Sequence, residues 1–482
     1  MQRALAAIVL AAGMGRRMHS ARPKVLHEIG GEPMLVRVLK TITELGASPA
    51  IAVVGDDSGE IEKTVRRRLK TSALQFAVQK PPRGTGDSAR CGVRLIPPVF
   101  DGDILVACGD MPRISTATLR RFVENHRRIG SPLSFISARL DQPGSYGRVI
   151  RDGYGAVRAI TEAGDASVEE LRIDEINTGI YLAELSVLRS LLEEIRPDNA
   201  QGEYYLTDVV AIARGRGYAV DGWRAGDSGE FAGVNSREEL MKMETELRRE
   251  VNRRLMAAGV TFTDPETAYI SPEAEFGIDC VIGPNVQILG RSRFGAGVQI
   301  EGTAWLRDVT VGPRAHLKLG VRAEDCRIGE DCEIGPFANL RPGTELEGHN
   351  RIGNFVETKK VRIGRGSKAS HLSYLGDATI GSDTNIGCGV ITVNYDGYDK
   401  QMTRIGDRCM IGCDSQLVAP VTIGDDVYVA SGSTILREVP GGALAVSRHP
   451  QNVKPGWTAN WRKRHNDHRP AVNGEVKSGR RG

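Results

Sequence analysis

From about residue 263 the chain keeps a six-residue beat. Apolar side chains stand at Ile282, Ile288, Phe294, Ile300 and Leu306, then at Ile328, Ile334, Leu340, Leu346 and Ile352. After a slip the beat returns at Ile363, Ala369 and Leu375, at Ile380 and Ile386, and finally at Ile405, Ile411, Leu417, Ile423, Val429 and Ile435. A period of six suits neither an α-helix nor a coiled coil. It suits a parallel β-helix, in which each hexad gives one short strand, turns its apolar residue into a narrow core and then makes a corner. Glycine directly follows the inward residue in thirteen hexads, where a corner favours it. The low aromatic content, 5%, agrees with a slim aliphatic core, whereas the 57 glycines are shared between both parts of the chain, 26 of them in the first 250 residues.

The first 234 residues follow a different rule. Apolar runs at Ala4–Leu10, Ala50–Val54, Leu74–Val78, Ile104–Ala107 and Leu133–Ala138 alternate with helix-patterned stretches such as Pro33–Leu45 and Ile61–Leu69. That alternation predicts a mostly parallel sheet covered on both faces, whose ligands bind at the carboxyl ends of its strands. Residues 235–262 are rich in Arg, Glu and Leu and predict a linker helix, a solvated connector rather than a core helix, capped by Asn235 or Ser236 with Glu239 in the capping-box position. The domains expected are therefore 1–234, the linker 235–262, the repeat 263–462, and a basic, disordered tail 463–482.

Charge and cysteine usage narrow the class. With 64 basic and 60 acidic residues the formal charge is +4, too balanced for a protein that wraps nucleic acid. The mean hydropathy of −0.26 excludes a multi-span membrane protein. The apolar run from Ala4 to Ala12 is too short to span a bilayer, and it leads into a glycine loop rather than a signal-peptide cleavage site. Eight cysteines form no Cys-x-x-Cys pair, which reads as reduced thiols of a cytoplasmic protein.

The first strand ends in Leu10-Ala11-Ala12-Gly13-Met14-Gly15-Arg16-Arg17-Met18, with Pro23-Lys24 close behind. A glycine loop entering a helix offers backbone N–H groups to an anion, and Arg17 and Lys24 supply positive charge to phosphates. No Gly-Lys-Ser/Thr closes the loop, so it is not a Walker A motif. With Gln79, Gly84-Thr85-Gly86 and Cys108-Gly109-Asp110, these residues resemble the sugar-phosphate nucleotidylyltransferases. Tyr146-Gly147-Arg148, Glu162, Asn177-Thr178-Gly179, Gly202-Glu203-Tyr204-Tyr205 and Gly233-Val234-Asn235 narrow the match further. Joined to a hexapeptide β-helix, the set resembles the bifunctional N-acetylglucosamine-1-phosphate uridylyltransferase/glucosamine-1-phosphate acetyltransferase family over about residues 4–460.

That resemblance implies a Rossmann-like α/β nucleotidyltransferase domain followed by a left-handed parallel β-helix. It implies that Asp110 and Asn235 hold Mg²⁺ while the sugar phosphate attacks UTP. It places the UTP and UDP-N-acetylglucosamine contacts at Leu10, Ala11, Ala12, Gly13, Arg17, Lys24, Gln79, Gly84, Thr85, Cys108, Gly109, Gly147, Glu162 and Asn177. The sequence departs from the family at Met14 and Arg16, where Lys and Thr are frequent, at Asp87, where His is common, and at Cys108, where Tyr is frequent.

In the repeat, Asn339-Leu340-Arg341, Asn354 to Lys360 and Lys368 to Asp377 gather cations, a tyrosine and a histidine. Alone, His371 reads as a surface or stacked structural residue. The resemblance makes it the general base of acetyl transfer, with Arg341, Lys359, Tyr374 and Asn385 binding glucosamine 1-phosphate. The beat breaks between Ile391 and Ile405 for Asn394-Tyr395-Asp396-Gly397-Tyr398-Asp399-Lys400, an external loop. Acetyl-CoA contacts then map onto Cys388, Asn394, Tyr395, Cys413, Ser431 and Arg448; Ser or another small residue is usual where Cys413 stands. A homotrimer built through the β-helix, and a product used in cell-envelope synthesis, are also implied by resemblance.

Overall fold

Alternate residues of the first strand face opposite ways, and both faces are buried. The computed structural model describes residues 3–466 except Met14, Asp57 and Asp227, and divides into two compact units at Cys326/Arg327. The α/β part of the first unit runs β1 (Ala4–Ala11), the hairpin β2 (Glu28–Ile29) and β3 (Glu32–Pro33), α1 (Met34–Glu44), β4 (Ala50–Val54), α2 (Ser58–Arg68), β5 (Leu74–Val78), α3 (Thr85–Val93) and β6 (Gly102–Cys108). It continues through α4 (Thr116–Ile129), β7 (Leu133–Arg139), β8 (Arg148–Arg151), β9 (Val157–Thr161), β10 (Glu175–Glu184), α5 (Leu185–Glu194), α6 (Asp208–Gly215) and β11 (Val220–Arg224). The sheet order is β11-β7-β10-β6-β1-β4-β5, with β8 and β9 attached beside β10. Strand β10 pairs antiparallel with β6 and β7, whereas β1 pairs parallel with β4 and β6.

Period two along β1 sorts its side chains. Ala7, Val9 and Ala11 join Leu35, Leu39, Ile61, Leu119 and Phe122 from α1, α2 and α4. Ala6 and Ile8 join Val93, Leu188, Leu191 and Val209 from α3, α5 and α6. Each such side chain contributes about 1.5–3 kcal/mol on full burial. The parallel strands therefore bring their carboxyl ends, after Ala11, Val78 and Cys108, to one edge.

Helix α7 (Arg237–Ala257) begins in the predicted capping box: the Ser236 hydroxyl accepts from the Glu239 N–H at 3.2 Å, and Glu239 returns to the Ser236 N–H at 3.2 Å. Its charge-rich sequence suggested a solvated connector, yet one stripe is buried: Met243, Leu247, Val251 and Leu255, spaced by four. Asn252 lies on the same side and donates to the carbonyls of Pro265 and Ala268 at 2.7 and 2.9 Å, fixing the start of the repeat.

Short strands stack in register through the repeat, most of them two to four residues long, with seven residues at Glu357–Ile363 and at Tyr374–Ile380. Val281 pairs with Gln299 and Ile282 with Ile300 in the first unit; Glu333 pairs with Arg351 and Met410 with Tyr428 in the second. Partners 18 residues apart mean three hexads per coil. The slip read at Ile363 is a coil shortened by one, since Arg351 pairs with Lys368. Across the predicted loop, Asn385 pairs with Met410, so the additional residues are accommodated without disturbing the coils on either side. Every residue on the six-residue beat is buried.

A second inward column, two residues before the beat, escaped the sequence reading because it mixes small polar and apolar types. Val286, Ser292, Val298, Ala304, Thr344, Asn350, Ser367 and Ser415 are buried there. The polar members bond to corner carbonyls, as Ser367 does to Gly381 at 2.6 Å. Cys280 and Cys409 occupy the same column, their thiols 3.2 and 3.0 Å from the carbonyls of Gly295 and Gly424. The helix Trp457–Asn466 (α8) extends four residues into the segment assigned to a disordered tail, where the run of Arg and Lys suits its last turn. Residues 467–482 lie outside the described residues.

A Cβ at Gly353 would collide with the Ser370 carbonyl of the next coil. Gly353→Ala is expected to cost about 2 kcal/mol or more, seen as a lower thermal midpoint. Gly215→Ala, at the open end of α6, should leave the midpoint unchanged or raise it slightly.

Candidate functional sites

The carboxyl edge of the parallel strands encloses a hollow of about 270 Å³. Leu10, Ala11, Ala12, Gly13, Lys24, Gln79, Gly84, Thr85, Cys108 and Asp110 line it, all expected there, together with Val25, Pro82, Ser88 and Glu203. Gly84 has φ +102°, and a Cβ on it would stand 2.6 Å from the Tyr204 carbonyl oxygen, so only glycine fits. Gly86 N–H donates to that same carbonyl at 2.7 Å, which ties the start of α3 to the Glu203–Tyr204 loop. Buried Gln79 donates its amide to the Gly84 carbonyl at 3.0 Å and to the Asp87 carboxylate at 2.9 Å. Asp87, one of the departures, thereby orients the Gln79 amide. Gly109 N–H donates to Leu10 O at 2.9 Å and joins β6 to β1 just below the hollow.

Asp110 follows β6 at this edge. Its Oδ2 lies 2.5 Å from the Lys24 ammonium, which also donates to Asn235 Oδ1 at 3.0 Å. The Val234 N–H donates to the Asp110 carbonyl at 3.1 Å, so the main chain holds the Asn235 segment beside Asp110. Two hard oxygen donors converging on one cation form a donor set that fits Mg²⁺, which takes one or two protein oxygens and completes its shell with water and phosphate. Cys108 is not a nucleophile here. Burial, and then the nearby Asp110 charge, push its thiol up to about 12, so it stays neutral.

Beside the hollow, Gly147, Glu162 and Asn177 form a second polar group. Asn177 N–H donates to Gly147 O at 2.9 Å, and a Cβ on Gly147 would stand 3.4 Å from Glu162 Oε2. Burial raises the Glu162 carboxyl, which Thr207 steadies by donating to it at 3.2 Å. Gly179, at φ +81°, brings β10 against the Cys108 thiol and links the two groups. Arg17 is exposed on the 3-10 turn Arg16–Met18 and does not line the hollow. Met14 lies outside the described residues. A larger hollow of about 920 Å³, lined by Arg37, Lys40, Glu32, Glu273 and Arg291 among others, lies elsewhere in the first unit. Its Lys40 and Arg291 already pair with carboxylates.

In the second unit the coils convert sequence spacing into columns. Leu340 pairs with Thr358 and Lys359 with Gly376, which puts Arg341 and Lys359 at matching points of adjacent coils. Gly376 leaves the third point bare, and the Tyr374 phenol lies across it, where a Cβ would collide with the hydroxyl oxygen. Arg341 is ion-paired with Glu357 at 2.7 Å. Lys400, from the inserted loop, stands against Lys359 and lowers its pKa, with Arg341 adding to the effect. Crowded cations of this kind call for an anion. Asn394 is buried and donates to Asp377 at 2.6 Å and to the Tyr374 hydroxyl at 3.5 Å.

A different corner carries the remaining residues. Phe355, Leu372, Gly389, Asp414 and Gly432 take positive φ in successive coils, and the residues just before them are Asn354, His371, Cys388, Cys413 and Ser431. Leu372 N–H donates to Asn354 O, Asp414 N–H to Cys388 O and Gly432 N–H to Cys413 O, all within 2.8 Å. His371, Cys388, Cys413 and Ser431 are thus one exposed column, closed by Arg448, which donates to Ser431 O at 3.0 Å. Asn385 lies three residues before Cys388 and is half-buried, its amide 3.2 Å from the Met410 sulfur. Tyr395 is exposed and bonded within its own loop, to Gly397 O at 2.7 Å. Among the described residues no side chain hydrogen-bonds the His371 imidazole.

Comparison with known proteins agrees with both halves. A MobA-like NTP transferase domain model matches residues 7–170, and a bacterial transferase hexapeptide model of six repeats matches residues 402–437. The chain is 44% identical over 452 residues to the Bifunctional protein GlmU of Trichlorobacter lovleyi, covering 94% of this chain and 97% of that one. The proteins of the same name from Syntrophotalea carbinolica and Clavibacter sepedonicus are 45% and 42% identical, over 96% and 94% of this chain and 97% and 92% of theirs. The chain belongs to the bifunctional GlmU family. It is a transferase, and no helix among the described residues is long and apolar enough to cross a membrane.

Four residues that act on these side chains were given no role from sequence: Thr207, Asp208, Glu357 and Lys400. Each acts on a partner brought near only by folding. Asp208 is pushed up to about 6 by burial and then by Asp165. Folding therefore favours its protonated form. The contribution is full below the ordinary value near pH ~4 and is lost as pH rises through 6. Asp208→Asn should raise the thermal midpoint at pH 7.5 by about 2 °C and leave it unchanged near pH 4. Equal shifts at both pH values would contradict this.

Proposed function

We propose that this chain acetylates glucosamine 1-phosphate with acetyl-CoA and then transfers UMP from UTP to the N-acetylated product, giving UDP-N-acetylglucosamine and pyrophosphate for cell-envelope synthesis. The uridylyl site is assigned to residues 1–234 with Asn235, and the acetyl site to the repeat 263–462. The observation that carries the reading is the convergence of Asp110 and Asn235 oxygens on one cation beside a glycine-walled hollow, in a chain whose coils also align Arg341, Lys359 and an exposed His371 column.

In uridylyl transfer an oxygen of the sugar phosphate bonds to the α-phosphorus of UTP as the bond to the bridging oxygen breaks and pyrophosphate leaves. No protein nucleophile is needed, so the residues act by position and charge. Gln79, Gly84 and Thr85 hold the uracil, Lys24 meets the phosphates, and Gly147, Glu162 and Asn177 hold the sugar. Asp110 and Asn235 would hold Mg²⁺, which offsets phosphate charge when bound. In acetyl transfer Arg341, Lys359 and Tyr374 with Asn385 hold the sugar phosphate. His371 takes the proton from the amine, whose nitrogen bonds to the thioester carbon as CoA leaves as the thiol. Cys388, Asn394, Tyr395, Cys413, Ser431 and Arg448 flank the acetyl-CoA. The exposed Phe337 and Phe355 rings, stacked 5.8 Å apart, support assembly of the repeat into a homotrimer.

Release of CoA thiol from acetyl-CoA on adding glucosamine 1-phosphate tests the acetyl step, and pyrophosphate release from UTP tests the other. Asp110→Asn is expected to lower pyrophosphate release at least 100-fold and spare CoA release, and His371→Ala to do the reverse. A folded variant that lost both activities would overturn the two-site assignment. Lys400→Met should raise the KM for glucosamine 1-phosphate about tenfold with little change in kcat, while UMP transfer is unaffected.

A further inference from the structure

Lys24 occupies the point on which the two candidate metal-ligating oxygens converge. Its ammonium lies 2.5 Å from Asp110 Oδ2 and 3.0 Å from Asn235 Oδ1, and its side chain is only 11% exposed. Rigid surroundings set this position. Lys24 opens the turn Lys24–Leu26, whose Val25 and Leu26 are buried. Gly15, at φ +58°, is pressed so close to the stem that a Cβ there would stand 2.6 Å from Lys24 Cβ. The oxygen pair is placed independently of the lysine, by β6 and by the Val234 N–H bonded to Asp110 O.

Charge decides what happens next. Asp110 and Lys24 neutralise each other at close range. A divalent cation entering beside the ammonium would meet a like charge at contact distance in a half-buried site, where repulsion is poorly screened. The lysine must therefore leave for a cation to enter. Once displaced, its ammonium needs another anion within reach, and the phosphates of a nucleoside triphosphate in the adjoining hollow are the group that supplies one.

We propose that Lys24 is a resident occupant of the cation position. It keeps Asp110 and Asn235 in their ligating arrangement, excludes free divalent ions, and yields to a divalent ion that arrives together with nucleotide phosphates. Metal and triphosphate then bind with positive coupling, which by linkage acts equally in both directions. The inference rests on the reading of Asp110 and Asn235 as metal ligands.

Free Mn²⁺, followed by its electron paramagnetic resonance signal, tests this on the full chain without sugar phosphate. Lys24→Met should bind Mn²⁺ at least tenfold more tightly than the unaltered protein, while its affinity for UTP in metal-free buffer falls. Those opposite signs would not come from a merely structural lysine. Lys24→Arg, which keeps the charge, should bind Mn²⁺ as weakly as the unaltered protein and guards against a packing effect of the Met. Asp110→Asn in the Lys24→Met background should remove the tight site. Unchanged or weaker Mn²⁺ binding in Lys24→Met, with that binding still abolished by Asp110→Asn, overturns the occupant while leaving the ligands in place. Tight binding indifferent to Asp110→Asn overturns both.

Discussion

Main chain meets main chain in this protein at distances that leave no room for a side-chain carbon. Gly84 lies against the Tyr204 carbonyl, and Gly283 and Gly353 lie against carbonyls one coil away. In the α/β part this closeness shapes a hollow whose wall is backbone, rich in N–H and C=O groups that can read a flat ring or an anion. In the repeat it lets coils pair strand on strand at the spacing hydrogen bonds require. One constraint, the absence of a Cβ, thus serves recognition in one place and stacking in another.

The two sites differ in how they treat charge. Around Asp110 the cation and its oxygen partners are half-buried and mutually satisfied before any ligand arrives. At Lys359 and Lys400 like charges crowd together at the surface, offset only in part by Asp377. The first arrangement is preorganised by pairing and the second by unrelieved repulsion. On the proposed assignment a phosphate stabilises each, the first by exchange of partners and the second by relief.

Much of the fold could be read from periodicity. The beat from Ile282 to Ile435 located one wall of the β-helix core, because a single apolar residue per hexad is a signal that survives substitution of its neighbours. The companion column went unread: Ser292, Asn350 and Cys409 share burial and a carbonyl partner but no common polarity. The buried stripe of α7 was hidden in the same way, by the Arg and Glu residues that surround Leu247 and Val251. Residues of the hollow carried by the loop motifs, such as Gly84, Gln79 and Asp110, were legible. Glu357 and Lys400 were not, since their meaning depends on the partner that an adjacent coil or loop delivers.

The insertion between Asn385 and Met410 shows how such a repeat can change. Asn385 still pairs with Met410, and Met410 with Tyr428, so the additional chain leaves the stack as an outward detour and rejoins it in phase. Each coil answers only to the coils above and below it, and growth at a corner is invisible to the core. A molecule of this design can alter what stands over a site by lengthening or trimming one detour, while the spacing of the residues beneath stays under separate control.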